Sequence, residues 1–152
     1  RKPSAVYVEG SEGIWDIPCD VAMPCATQNE ISKESAEKLI RNGLIALLEG
    51  SNMSCTAEAV QLIGEEDVLY VPAKAANAGG VAVSGLEMAQ NAGRASWSYE
   101  KVDRMLQDIM CSIFDKCLSA SEEYGARGNL LVGANIAGFL KVAKAMQWQG
   151  VV

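Results

Sequence analysis

The chain has 152 residues, a net charge of −6 and no histidine. Scattered Lys and Arg in an acidic chain disfavour nucleic-acid backbones and anionic membrane surfaces as partners, and no apolar run reaches the roughly 20 residues of a membrane span. Without histidine there is no Ser-His or Cys-His nucleophile pair and no mixed zinc site; the five cysteines, odd in number and without a CxxC, read as reduced thiols.

The start, Arg1-Lys2-Pro3-Ser4, has no apolar stretch behind it and does not read as a signal peptide. Residues 5–8 form a short β-prone run, and residues 21–23 predict a second buried strand closed by Pro24. Ser32 caps a helix through Arg41, with Ala36, Leu39 and Ile40 on one face, and Asn42-Gly43 stops it. Residues 44–48 are continuously apolar, as in a strand buried on both faces, and Glu49-Gly50 ends the run. A short helix over 56–63 carries Glu58 near its positive end. Residues 68–71 predict a fourth strand, closed by Pro72.

Strands that alternate with helices and read as unbroken apolar runs argue for a parallel α/β sheet. From Asn77 onward only helices are predicted. The first covers 78–91. A long one, capped by Ser98, runs to about Ser121 with a stripe of Val102, Met105, Leu106, Ile109, Ile113 and Cys117. After a glycine-containing loop over 124–129, a last helix covers 134–147, its apolar face made of Ile136, Phe139, Leu140, Ala143 and Met146. The expected organisation is a partial dinucleotide-binding domain over 1–76 and a helical segment over 77–152. Four strands make a thin sheet, and no GxGxxG is present, so a dinucleotide site built from these residues alone lacks its pyrophosphate turn.

Ligands of open α/β sheets bind outside the carboxyl ends of the strands. Three predicted strand ends lead into small, polar segments: residues 24–30, residues 49–52 and residues 72–80. Amides and hydroxyls without fixed charge suit a carboxamide or a ribose, although any one segment alone is equally well read as a turn. The glycine pair at 79–80 opens a helix at a cost of about 1 kcal/mol per glycine relative to Ala. Such a pair fits close backbone approach, either to a ligand carboxylate at the helix N-terminus or to the sheet. Lys74 and Glu87 are the nearest charges, and a lone loop lysine reads as solvated.

Four segments carry a family resemblance: Asp20-Val21-Ala22-Met23-Pro24-Cys25-Ala26-Thr27-Gln28-Asn29-Glu30; Glu49-Gly50-Ser51-Asn52-Met53; Ala73-Lys74-Ala75-Ala76-Asn77-Ala78-Gly79-Gly80-Val81-Ala82-Val83-Ser84-Gly85-Leu86-Glu87-Met88; and Gly133-Ala134-Asn135-Ile136-Ala137-Gly138-Phe139. In this order and spacing they resemble the hexameric glutamate dehydrogenases, most closely the small enzymes that usually depend on NADP. The resemblance implies the C-terminal portion of a modified Rossmann fold, doubly wound and mostly parallel, followed by C-terminal helices. It also implies a cytoplasmic oxidoreductase of nitrogen assimilation that interconverts L-glutamate and 2-oxoglutarate plus ammonium with NADP(H), NAD(H) being the alternative, and that forms a homo-hexamer when full length.

The resemblance implies roles for individual residues. Ala26, Thr27 and Gln28 line the nicotinamide ribose. Asn52 and Asn77 contact the nicotinamide end, with Ser51 beside the pocket. Gly80, Val81 and Ser84 face the glutamate side chain, and Ser84 bonds a substrate carboxylate. The family's catalytic lysines and aspartate have no counterpart here, so these 152 residues are expected to be inactive alone, with no metal site. Departures are Ser51 where Ala is usual, Ser54-Cys55-Thr56-Ala57 in place of Pro-Thr-Thr-Pro, Ala73 within an expected Pro-Gly-Lys, and a missing His near Cys117. The alternative is a Rossmann-like module that binds a nucleotide without turnover. A cysteine redox protein has little support without a CxxC pair.

Overall fold

The computed structural model describes residues 6–10 and 12–150, and the chain falls into two compact units, one ending at Tyr70 and the other beginning at Val71. It is mixed α/β with a short parallel sheet, as expected.

In the first unit a 3-10 helix, Glu12–Asp16, precedes β1 (Val21–Ala22), α1 (Lys33–Arg41), β2 (Ala46–Leu48), α2 (Ala57–Gly64) and β3 (Leu69–Val71). The sheet order is β1-β2-β3. β1 and β2 are parallel, with Val21 opposite Ala46 and Ala22 opposite Leu47. Ile31 and Cys55 add an isolated parallel bridge beyond them.

Both helices start where a side chain relieves orphan amides. Ser32 Oγ accepts from the Ser35 N–H at 3.2 Å, and Thr56 Oγ1 accepts from the Ala59 N–H at 3.3 Å. Gly43, at φ 88°, takes the left-handed turn after α1, a conformation glycine adopts without a Cβ penalty. The core is fully buried Ile31, Leu39, Leu47 and Ile63, each contributing about 2 kcal/mol of transfer free energy.

Four expectations are corrected. The first strand is absent among the described residues: Val6, Tyr7 and Val8 are exposed and lie in no strand, and Ala5 lies outside the described residues. β-prone residues form a strand only where a neighbour supplies the ladder. The sheet therefore has three strands among the described residues. The strand expected over 44–48 shortens to Ala46–Leu48, where Ala46 and Leu47 are buried, because Ile45 lies outside it and is 61% exposed. The 3-10 helix was not expected at all. It places Trp15 in the core and is tied to α1 by the Lys38–Asp16 ion pair, 2.8 Å long and partly exposed. Asn42 Nδ2 adds a hydrogen bond to the Asp16 carbonyl at 3.2 Å. The Asp16 carboxylate holds the Lys38 ammonium above the ordinary lysine range, but an exposed pair of this kind contributes little to stability.

In the second unit α3 (Ala73–Ala76), also unexpected, leads into α4 (Ala78–Ala92), α5 (Tyr99–Glu123) and α6 (Leu130–Gln149). Ser98 Oγ accepts the Lys101 N–H at 3.3 Å. Asn129 Oδ1 accepts the Val132 N–H at 3.0 Å. That asparagine cap makes α6 begin four residues before the expected position 134. It buries Leu130, Gly133 and Ala134 against Cys117 and Ala120 of α5. The anticipated α6 face does not form a core here: Phe139 is 67% exposed, and Leu140 and Met146 are also exposed. No helix among the described residues is long and apolar enough to cross a membrane.

Candidate functional site

The first unit holds Ala26, Thr27, Gln28, Ser51 and Asn52 in two loops that follow β1 and β2, and all but half-buried Ser51 are exposed. Parallel pairing of the two strands brings their carboxyl ends side by side, and the loops are then laced together. The Gly50 and Ser51 N–H groups both donate to the Pro24 carbonyl, at 2.9 and 3.0 Å. The Asn29 N–H donates to the Met53 carbonyl at 2.8 Å, and the Ile31 N–H to the Ser54 carbonyl at 3.0 Å.

Asn29 and Met53 both have positive φ, 56° and 50°. For a non-glycine residue this costs about 1 kcal/mol or more, least for asparagine. Each loop thus contains one strained residue held by the other loop.

Two serine hydroxyls sit where the loops meet. Ser51 Oγ donates to the Thr27 carbonyl at 3.0 Å. It lies 2.6 Å from Ser54 Oγ. Fully buried Ser54 also reaches the Pro24 carbonyl at 3.3 Å and the Ser51 carbonyl at 3.0 Å. The structure therefore brings the predicted residues Thr27 and Ser51 into contact, with the Ser51 hydroxyl directed at protein groups. Gly50 is constrained as well: a Cβ there would land on Cys25 Sγ and come within 3.3 Å of the Pro24 carbonyl oxygen.

Beneath these loops lies a buried polar group that sequence reasoning passed over. Glu49 is 4% exposed, and its Oε1 accepts the Cys55 N–H at 2.8 Å. Burial pushes the Cys55 thiol and the Tyr70 phenol well up from their ordinary ranges, and the neighbouring Glu49 carboxylate pushes both further. Cys55 is thus an inert structural thiol. The only sequence signal was a carboxylate that ends an apolar run, which looks the same in a solvated turn.

An open pocket of about 650 Å³ touches Met23, Cys25, Ala26 and Glu30 on one side and Val8 and Ile14 on another. Ala26 is the one predicted cofactor residue that lines it. Its N–H also donates to Glu30 Oε1 at 3.1 Å.

The second unit holds Asn77, Gly80, Val81 and Ser84. Asn77 is the pivot between α3 and α4, ending one and starting the other. Its carbonyl accepts the Gly80 N–H at 3.3 Å. Gly80, Val81 and Ser84 lie on the exposed side of α4, Ser84 four residues from Gly80 and three from Val81, the spacings that place helix residues on one face.

The Ser84 hydroxyl donates to the Gly80 carbonyl at 3.2 Å, so bonding a carboxylate requires it to leave its own helix. The two glycines have different roles. A Cβ on Gly79 would meet Leu106 and Met110 of α5 at 3.4 and 3.5 Å, whereas one on Gly80 would meet nothing. Gly79 therefore packs against a helix rather than the sheet, and Gly80 leaves backbone open to solvent.

Lys74 is not merely solvated, because its ammonium donates to Asn135 Oδ1 and links the third resemblance segment to the fourth. A groove of about 610 Å³ along α5 and α6, touching Cys111, Asp115, Lys116 and Glu123, contains none of the predicted residues.

Comparison with known proteins agrees with the fold. Residues 1–150 match the model of the Glutamate/Leucine/Phenylalanine/Valine dehydrogenase family. The NADP-specific glutamate dehydrogenase of Escherichia coli is 54% identical over 147 residues, 97% of this chain and 32% of that protein. The NAD-specific glutamate dehydrogenase of Bacteroides fragilis is 48% identical over 150 residues, 99% of this chain and 34% of that protein. A crystal structure of Plasmodium falciparum glutamate dehydrogenase superposes with a TM-score of 0.88 at 47% identity, over 91% of this chain and 30% of that one.

A short parallel sheet with helices between its strands and further helices after it is a mixed α/β fold, and it superposes on a glutamate dehydrogenase structure. The chain belongs to the Glutamate/Leucine/Phenylalanine/Valine dehydrogenase family. It spans about a third of the length of the relatives it matches.

Proposed function

We propose that this chain is the part of an NADP(H)-dependent glutamate dehydrogenase that supplies the nicotinamide-side wall and a substrate contact. The observation that carries this reading is the family match across residues 1–150. The protein converts L-glutamate, water and NADP⁺ to 2-oxoglutarate, ammonium and NADPH. NAD(H) is the alternative coenzyme, since relatives with either specificity are about half identical to this chain. It acts in the cytoplasm as a homo-hexamer.

The nicotinamide, when bound, accepts the hydride from the substrate. Ala26, Thr27 and Gln28 face its ribose, and Asn52 and Asn77 its carboxamide end, with Ser51 beside the pocket. These groups carry no fixed charge and suit a neutral carboxamide and a ribose, which need donors and acceptors. Gly80, Val81 and Ser84 form the substrate face of α4: the open backbone at Gly80 admits the ligand, Val81 packs on its methylenes, and Ser84 donates to a carboxylate. Residues 1–76 form the partial dinucleotide-binding domain and residues 77–152 the helical segment that carries Gly80, Val81 and Ser84. The groups that move protons lie outside these 152 residues.

Exchange of the Ser84 hydroxyl from the Gly80 carbonyl to a carboxylate yields a charge-assisted bond, stronger than the one lost. Ser84→Ala in the intact protein should raise the KM for glutamate about tenfold, in line with roughly 1.5 kcal/mol for a hydrogen bond to a charged group, with the NADP⁺ KM unchanged. Steady-state kinetics with each substrate varied in turn measures this, and an unchanged glutamate KM would remove Ser84 from the substrate site.

A further inference from the structure

We propose that Ser51 and Ser54 form a hydroxyl latch that positions the coenzyme loops, so that Ser51 acts on the coenzyme through Thr27. This rests on the dehydrogenase reading and adds a positioning role to it.

The two hydroxyls have two protons between them and four acceptors in reach: the carbonyls of Thr27, Pro24 and Ser51, and each other. When Ser54 donates to Ser51, Ser51 donates onward to the Thr27 carbonyl. When Ser51 donates to Ser54 instead, Ser54 donates to the Pro24 or Ser51 carbonyl. With Ser54 donating either to Ser51 or to the Pro24 carbonyl, one unbroken chain joins the β2 loop to the β1 loop, and removing either hydroxyl deletes one of its links. The Ser51–Ser54 separation of 2.6 Å is at the short end for hydroxyl pairs. Ser54 is fully buried, so water cannot substitute for a lost partner there.

The latch lies where the loops need support. Asn29 and Met53, the left-handed residues that pair across the loops, persist only if their surroundings hold them. Without the hydroxyls the backbone bonds to the Pro24 carbonyl remain, but Thr27 loses its tie to the β2 loop. Ala26, Thr27 and Gln28 then sample conformations that the coenzyme must reorder on binding. That cost falls on affinity for the coenzyme rather than on turnover.

The test uses the intact protein with Ser51→Ala, Ser54→Ala, both together, and Ser51→Thr, which keeps the hydroxyl. Two readouts are taken: amide hydrogen exchange over residues 26–31 and 50–55, and kinetic constants with calorimetric NADP⁺ affinity. Each alanine variant should speed exchange in both loops and raise the NADP⁺ KM and Kd by about five- to tenfold, the loss of one hydrogen bond. For Ser54→Ala, which alters a residue with protein partners only, the kcat and the glutamate KM should stay within about twofold. The double variant should be little worse than either single one, as for members of one network, and Ser51→Thr should restore both readouts.

Unchanged exchange in both loops would overturn the latch. Faster exchange with unchanged NADP⁺ affinity would overturn its role in coenzyme binding. An inactive parent protein would sink the dehydrogenase reading instead, while the exchange rates still decide the latch.

Discussion

Gly133→Ala should lower the stability of the intact protein by about 3 kcal/mol, the upper end of the usual overpacking range. Gly133 lies where α6 crosses α5 most closely. A Cβ there would land on the carbonyl oxygen of Cys117 and come within 2.8 Å of its carbonyl carbon and 3.2 Å of Ser121 Cβ. Two of those three atoms belong to helix backbone and cannot rotate away, so the helices must part. Parting them exposes Leu130, Ala134 and Cys117, which form the small core of this unit. Gly138→Ala, in the same helix, is the control: a Cβ there meets nothing within 4 Å, and alanine favours the helix by about 1 kcal/mol. Denaturant midpoints of the two variants should move in opposite directions from the parent. Equal midpoints would mean that Gly133 is not a close-packing residue.

Glu49→Ala should cost a similar amount, again about 3 kcal/mol. The truncation orphans the buried Cys55 N–H and removes the carboxylate beside the Tyr70 phenol, each unmet group costing about 1–3 kcal/mol. The change also carries a pH signature. In the parent, the Cys55 thiol and Tyr70 phenol have raised pKa values in the fold. A raised folded pKa gives stability that is complete below the unfolded value and is lost as pH rises above it. The parent should therefore lose stability on the alkaline side of pH 9, the ordinary thiol value. Removing the Glu49 charge takes away the secondary causes of both shifts but leaves burial, the largest. The Glu49→Ala variant should accordingly be less stable at neutral pH, and its alkaline decline should level off at lower pH. Urea unfolding at several alkaline pH values measures both declines, and declines that level off together would refute Glu49's electrostatic part.

Much of the helix architecture was legible because the signals are local. Ser32 and Ser98 each marked a cap that the structure bears out, and the β1 and β2 runs announced the parallel pair. What escaped was decided at a distance. Residues 6–8 look like a strand, but nothing in their own pattern reveals whether a neighbour pairs with them. Ile45 interrupts a run that reads as doubly buried. The start of α6 was placed at 134, four residues late, because the Asn129 cap went unread; Gly133, inside the helix, serves the helix crossing. At the candidate site the loop residues could be found from the strand-end rule. Their couplings could not: Ser51 meets Thr27 across 24 positions, and Lys74 meets Asn135 across 61, separations that no periodicity encodes.

The central claim is that this chain serves a glutamate dehydrogenase whose proton-transfer groups lie elsewhere in the protein. The most direct test follows NADPH formation and ammonium release by the intact protein and by the 152-residue chain alone. The intact protein should form the two in equal amounts, and only with glutamate present, while the chain alone forms neither. An intact protein that turns over no glutamate, or a chain that does so unaided, would contradict it.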